Sequence, residues 1–338
     1  MKRSTLILAA LVGALAGTSA LVAQTHPDAE DGPWWAYGFV AAPKPGEASP
    51  DCGVPTPITC ARPRAAAVLE ENPITLPEAP RPYTRRQVSE WFGPADWYPQ
   101  DHPPMPSIVA RGNEQAGIRA CALCHLPNGK GRSENAQIAG LPVAYFMQQL
   151  EAFKKGERRN ADPRKFNTKE MIAMARTLTA EEMQAAAEYY SSIKYTPWVR
   201  VVETDMVPAF RQSLAGMFLP DKGDPVPLGN RIIEMPERPE ETEFLRNPRS
   251  GWVAYVPKGS VARGEALARS CTVCHGANLS GAGNVPGIAG KTASYMVRQL
   301  YDMQQGTRKS LLMAGVVAKM TPDDMLNLGA YLASRQPE

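Results

Sequence analysis

Apolar positions recur at helical spacing near the C-terminus, where Met325, Leu328 and Leu332 stand three and four residues apart. The block leading into them, MTPDDM at 320–325, has a counterpart in LTAEEM at 178–183. Each block opens on Thr with an acidic residue three places on, as in TAEE and TPDD. That pair of side chains satisfies two orphan N–H groups at a helix start. The same reading predicts a helix over 143–155, its twin over 293–305, and one leading into residues 121 and 271.

These helices belong to an internal repeat. IAG at 138–140 returns at 288–290, and Tyr145, Gln149, Leu150, Gly156 and Arg158 return as Tyr295, Gln299, Leu300, Gly306 and Arg308, all at an offset of 150. The later blocks, with Tyr189 and Tyr331, match at 142, so the first copy carries eight extra residues between them. VARG at 109–112 matches VARG at 261–264.

Both copies contain Cys-x-x-Cys-His: Cys121, Cys124, His125, and Cys271, Cys274, His275. A redox dithiol would sit in a βαβ pattern, which is absent around both. A four-thiolate zinc cage would have to join pairs separated by 146 residues, and would leave the shared His unexplained. Covalent haem attachment explains the spacing. Two thioether bonds hold one macrocycle edge while the adjoining His reaches the iron.

On these residues the two copies resemble class I c-type cytochrome domains. Their tandem order is similar to that of the two-domain dihaem cytochromes of the cytochrome c4 type. The resemblance covers about 160 residues, 109–193 and 261–335. It implies a mainly α fold with two covalently attached c-type haems and a Met as sixth ligand ahead of each last helix. Met171 and Met313 each stand seven residues before their helix-start blocks. Met174 competes with Met171, but its twin is Val316. The remaining histidines, His26 and His102, have no counterparts in the other copy. The resemblance also implies a backbone carbonyl accepting the proximal His N–H, from Pro286 in the second copy and Ala136 in the first. Arg158 and Arg308 have two open readings, as partners of haem propionates or as solvated helix-end residues.

The remaining sequence departs from the short linkers of that family. Residues 24–108 hold 17 of the 32 prolines and four of the six Trp. This predicts an irregular segment wrapped over the haem domains, with partner docking as the second reading. Residues 194–260 contain WVRVVE, NRIIEMPE and GWVAYVP, which predict a small β-element between the domains. The longer loop of the first copy, KKGERRNADPRKFNTK, has seven basic residues against two acidic ones. It reads as a collar steering an acidic partner or as a solvated loop.

Lys2, Arg3 and the apolar run from Leu6 to Ala23 read as a secretory signal over 1–23, or an uncleaved anchor, giving a bacterial periplasmic location. Export makes a disulfide between Cys52 and Cys60 the expectation. Without Lys2 and Arg3, 35 basic residues face 34 acidic ones, so nothing calls for nucleic acid. A membrane enters only if the signal is retained. The expected domain order is thus 1–23, 24–108, 109–193, 194–260 and 261–338. The expected function is an exported dihaem carrier, not an enzyme, passing electrons between a donor and an acceptor redox protein. The rivals are a subunit held by a dehydrogenase or terminal oxidase, and a dihaem peroxidase. A peroxidase would need an open iron.

Overall fold

The computed structural model describes residues 32–48, 72–213 and 216–336. The expected signal at 1–23, His26 and the expected Cys52–Cys60 disulfide lie outside the described residues.

In chain order the helices are α1 (Arg85–Val88), α2 (Ser107–Ala110), α3 (Cys121–His125), α4 (Val143–Lys154), α5 (Asn167–Thr177) and α6 (Ala180–Ser192) in the first half. The second half has α7 (Ser260–Ala268), α8 (Thr272–His275), α9 (Ala293–Gln304), α10 (Leu311–Val317) and α11 (Pro322–Ser334). Both expected capping boxes form, Thr179 with Glu182 and Thr321 with Asp324. Each supports a final helix whose apolar face is buried. Tyr190, Ala187 and Met183 of α6 meet Phe146 and Leu150 of α4 in the first core. Met325, Leu328 and Leu332 of α11 meet Val297 and Leu300 of α9 in the second. Burying such side chains contributes about 1.5–3 kcal/mol each.

The two IAG turns have one role. Gly140 and Gly290 both take φ of 69° and donate to the C-terminal helix of their repeat, to Tyr190 O at 2.9 Å and Leu332 O at 2.8 Å. That left-handed geometry favours glycine.

The two VARG tetrapeptides diverge, which corrects the expectation of a leading helix in each copy. In repeat 2 it lies inside α7, where a Cβ on Gly264 would stand 2.0 Å from Asn327 O, so α7 crosses α11 at backbone contact. In repeat 1 the helix is the single turn α2, and Gly112 leaves it at φ of 69°. Pro104 and Pro106 precede that turn and the turn-forming Asn113 and Gly117 follow it, whereas EALA continues α7.

The predicted strand runs form one three-stranded sheet. Val199–Glu203 pairs parallel with Trp252–Val256, which pairs antiparallel with Ile233–Pro236. Val199, Val201, Ala254 and Val256 pack into the core of repeat 2, so the sheet is seated on that repeat.

The N-terminal segment divides its contacts. Residues 32–48 touch both repeats: Tyr37 Oη donates to Asp302 Oδ1 at 2.6 Å and Arg298 Nη1 to Ala36 O at 2.6 Å in repeat 2, while Arg164 of repeat 1 lies over the Phe39 ring at 4.0 Å. Residues 72–108 build a small core of their own with Leu245, to whose carbonyl Trp97 Nε1 donates at 2.6 Å. Among the described residues no helix is long and apolar enough to cross a membrane.

Candidate functional site

Both Cys-x-x-Cys-His motifs open into one continuous cavity of about 1280 Å³. A site for one drug-sized ligand occupies roughly 300–1,000 Å³, so this space suits two large planar groups. Cys121, Cys124 and His125 line one end, with Met171 and Met174. Cys271, Cys274 and His275 line the other, with Met313.

The two histidines are held alike. His125 Nδ1 stands 3.0 Å from Ala136 O, and His275 Nδ1 stands 2.8 Å from Pro286 O. A carbonyl only accepts, so the ring proton sits on Nδ1 and Nε2 keeps its lone pair for a metal. The Ala136 carbonyl serves as well as that of Pro286. Burial also holds the His125 imidazole below its ordinary range, which favours the neutral ring that a metal ligand requires.

The dithiol and zinc readings fit the geometry poorly. Burial pushes the Cys121 thiol up to about 12, so it would be largely protonated and inert at neutral pH. No three of His, Cys, Asp and Glu gather into a metal-holding group among the described residues.

Between the two ends lies a reciprocal polar cluster. Arg158 donates to Gln149 Oε1 of its own repeat at 3.0 Å, and across to Tyr295 Oη at 3.1 Å and Gln299 Oε1 at 3.0 Å. Arg308 donates to Gln299 Oε1 at 2.8 Å, and across to Tyr145 Oη at 2.7 Å and Gln149 Oε1 at 3.0 Å. The backbones join too, with Arg159 N donating to Thr307 O at 2.8 Å and Lys309 N to Glu157 O at 2.9 Å. Both guanidinium groups are buried. Burial and then Arg308 push Arg158 below the usual arginine range. Burial acts upward on the Tyr145 hydroxyl, but Arg308 and Arg158 outweigh it and pull it down. Two adjacent buried cations with only amide and phenol partners call for anions. The carboxylates of two haems fit that need, and the solvated reading of these arginines is set aside.

The extra loop of repeat 1 is packed in part. Arg158 enters the interface, Arg164 pairs with Asp162 at 2.7 Å and donates to Ala41 O at 2.8 Å, and Lys165 Nζ donates to Gly216 O at 2.6 Å. Packing thus engages three of its seven basic residues, while Lys155 and Arg159 stay exposed.

His102 stands apart from the cavity. Its Nδ1 lies 2.8 Å from Pro103 O and its Nε2 lies 3.2 Å from Asp96 Oδ1, so both ring nitrogens are engaged elsewhere.

A buried ionic layer behind the first motif escaped sequence reasoning. Arg119 pairs with Glu170 at 2.8 Å, and Arg132 pairs with Glu134 at 2.5 Å and Glu243 at 2.9 Å. Arg246 donates to Leu123 O, and burial followed by Arg132 lowers its guanidinium to about 10. Glu243 and Arg246 come from the interdomain segment, which has no repeat partner to flag them.

The cytochrome c family model matches residues 109–194 and 261–336, the two repeats. Cytochrome c4 of Pseudomonas aeruginosa is 37% identical over 79 residues, which span 23% of this chain and 39% of that protein. A protein of Thiomonas intermedia named thiosulfate dehydrogenase electron acceptor is 26% identical over 251 residues, spanning 72% of this chain and 85% of that one. The solved structure of reduced cytochrome c4 from Pseudomonas stutzeri aligns at a TM-score of 0.41 with 22% identity, over 64% of this chain and 93% of that one.

Proposed function

Since its two repeats are cytochrome c domains of the dihaem, cytochrome c4-like kind, we propose that this chain carries electrons between redox proteins of the bacterial periplasm. The observation that carries the reading is the matched pair of histidines in one cavity, each with Nδ1 committed to a carbonyl. Two covalently attached c-type haems supply the one-electron chemistry.

In this reading Cys121 and Cys124 hold the first haem and Cys271 and Cys274 the second, with His125 and His275 as proximal ligands. Met171 and Met313 would supply the second side chain to each iron. Their shared register supports this, as does their position on α5 and α10, where both side chains line the cavity. Met174 lines the cavity too, but the repeat puts Val316 in its place. The chain's own work is to orient the imidazoles, enclose the irons and balance the charge between them through Arg158 and Arg308. Met171 and Met313, bound to the irons, would leave no position for peroxide, which argues against the peroxidase rival.

A reading as the electron-accepting partner of a dehydrogenase draws on the Thiomonas intermedia protein, whose match spans 72% of this chain and 85% of that protein. A stable complex that co-purifies at fixed stoichiometry would favour it over a freely diffusing carrier.

The deciding experiment is the ferric near-infrared spectrum of the haem-loaded protein, which carries the band of Met-bound iron. Met171→Ala and Met313→Ala are each expected to remove about half the band, and Met174→Ala none. A wild-type spectrum with one high-spin iron would overturn the carrier reading.

A further inference from the structure

The two Cys-x-x-Cys-His motifs differ in the charge built around them. Arg246, from the segment between the repeats, donates to the carbonyl of Leu123, which lies between Cys121 and Cys124. Leu123 is 3% exposed, and Arg246 Nε is buried with no hydrogen-bond partner among the described residues. A guanidinium largely cut off from water therefore touches the first motif.

Its neighbours are already paired. Arg119 holds Glu170 at 2.8 Å, and Arg132 holds Glu134 at 2.5 Å and Glu243 at 2.9 Å. Among the described residues Arg246 has no carboxylate in ion-pair range. Glu243 and Glu134 act on it from farther off. After burial and Arg132, the strongest influence on Arg246 is the sulfur of Cys124, ahead of both carboxylates. The formal charges of this layer cancel, three arginines against three glutamates, but their placement does not. The cation left over is the one at the motif.

Repeat 2 lacks this layer among the described residues. Arg119, Arg132 and Glu134 have Arg269, Ala282 and Asn284 at the offset of 150, and all three are exposed. Val273, in the place of Leu123, is 85% exposed. Water at that position screens charge that the interior of repeat 1 does not.

A haem iron carries one more positive charge when ferric than when ferrous. A fixed cation beside it disfavours the ferric form and raises the potential, the more so in a low dielectric and at short range. Burial of the motif acts in the same direction.

We propose that Arg246 raises the potential of the first haem above that of the second, so that repeat 1 is where a single electron comes to rest. An electron reaching repeat 2 then passes inward, one iron being oxidised as the other is reduced, and no bond forms or breaks. The proposal rests on the carrier reading above and gives its two centres different roles. Repeat 1 stores the first electron, and repeat 2 takes and yields the second.

The test follows the haem-methyl proton signals of the ferric, haem-loaded full chain through stepwise reduction at about pH 7. Contacts with the Tyr190 ring assign one set to repeat 1, and contacts with Leu332, its twin, assign the other to repeat 2. Both side chains line the cavity. Two low-spin sets are expected. A high-spin set would overturn the carrier reading, and the proposal with it. In wild type the repeat 1 set is expected to fade first; the reverse order overturns the proposal while the carrier reading stands. Arg246→Gln keeps a donor for Leu123 O and removes the charge. It is expected to move the electron distribution about tenfold toward repeat 2, equivalent to about 59 mV on the first haem. Arg246→Lys keeps the charge and should stay within about twofold of wild type. If the Gln variant leaves the distribution unchanged, or the Lys variant moves it as far, Arg246 serves packing alone and the proposal is overturned.

Discussion

Arg119 donates to Glu170 across 2.8 Å in a buried pair, and at the two equivalent places repeat 2 has Arg269 and Leu312, both exposed. A single exchange, carboxylate for leucine, separates a helix tied to its haem motif from one left open. The pair fixes α5 against the start of α3, so breaking it should be felt in repeat 1 alone.

Glu170→Ala leaves Arg119 buried without its counter-charge and is expected to cost about 3–5 kcal/mol. Replacing both residues by leucine should recover most of that loss, since a well-packed apolar pair avoids burying either ion. Denaturant unfolding followed by circular dichroism separates the two. A double variant as unstable as the single one would refute the account.

The pH dependence of stability has two opposing parts. Glu234 is buried beside the first turn of α9, with Ala293 N donating to Oε2 at 2.8 Å, and burial raises its carboxyl from 4.5 to about 7. Its favourable contribution is complete below about pH 4.5 and is lost as pH rises through about 7. Burial lowers Lys291 from 10.5 to about 7, so its contribution is present above 10.5 and is lost as pH falls through about 7. Glu234→Gln should therefore stabilise by about 3 kcal/mol at pH 8 and have little effect at pH 4. Lys291→Met should stabilise below neutrality and do little near pH 10. Equal gains at both ends of the range, for either variant, would count against these assignments.

Gly264→Ala tests the crossing of α7 and α11. The added methyl would stand 2.0 Å from Asn327 O and 2.6 Å from Tyr331 Cβ, both on a packed helix. The expected loss is about 1–3 kcal/mol or more, read as a lower unfolding midpoint with the haem spectra retained below it.

Arg158 and Arg308 should act on both redox centres. A buried cation favours the reduced iron less than a bond to it would, but its field reaches both ends of the shared cavity. Arg158→Gln is expected to lower both potentials in a spectroelectrochemical titration. A shift confined to one centre would mean that each arginine serves a single haem.

Much of this arrangement was legible in the sequence because the repeat states it twice. The capping threonines, the IAG turns and the methionines at 171 and 313 each have a twin in register, and chemistry that occurs twice at one spacing is rarely accidental. The strand runs at 199–203, 233–236 and 252–256 were readable because β-branched and aromatic residues cluster there between turns. What the repeat could not reveal lies where the copies differ. VARG takes two conformations because its flanking residues, not its own four, decide whether a helix continues. Glu170 and Arg246 have no polar twins, and their partners lie 51 and 123 residues away in sequence, so only tertiary contact exposes their roles.

The exchange of arginines between the repeats has a further meaning. Arg158 reaches Tyr295 and Gln299 as Arg308 reaches Tyr145 and Gln149, so the contact is self-complementary, like the interface of a two-fold dimer. A face of this kind recognises its own copy. Joined by one chain, the halves meet at a local concentration that no pair of separate molecules would reach. Covalent linkage thus makes permanent a pairing that two free domains would hold only at equilibrium.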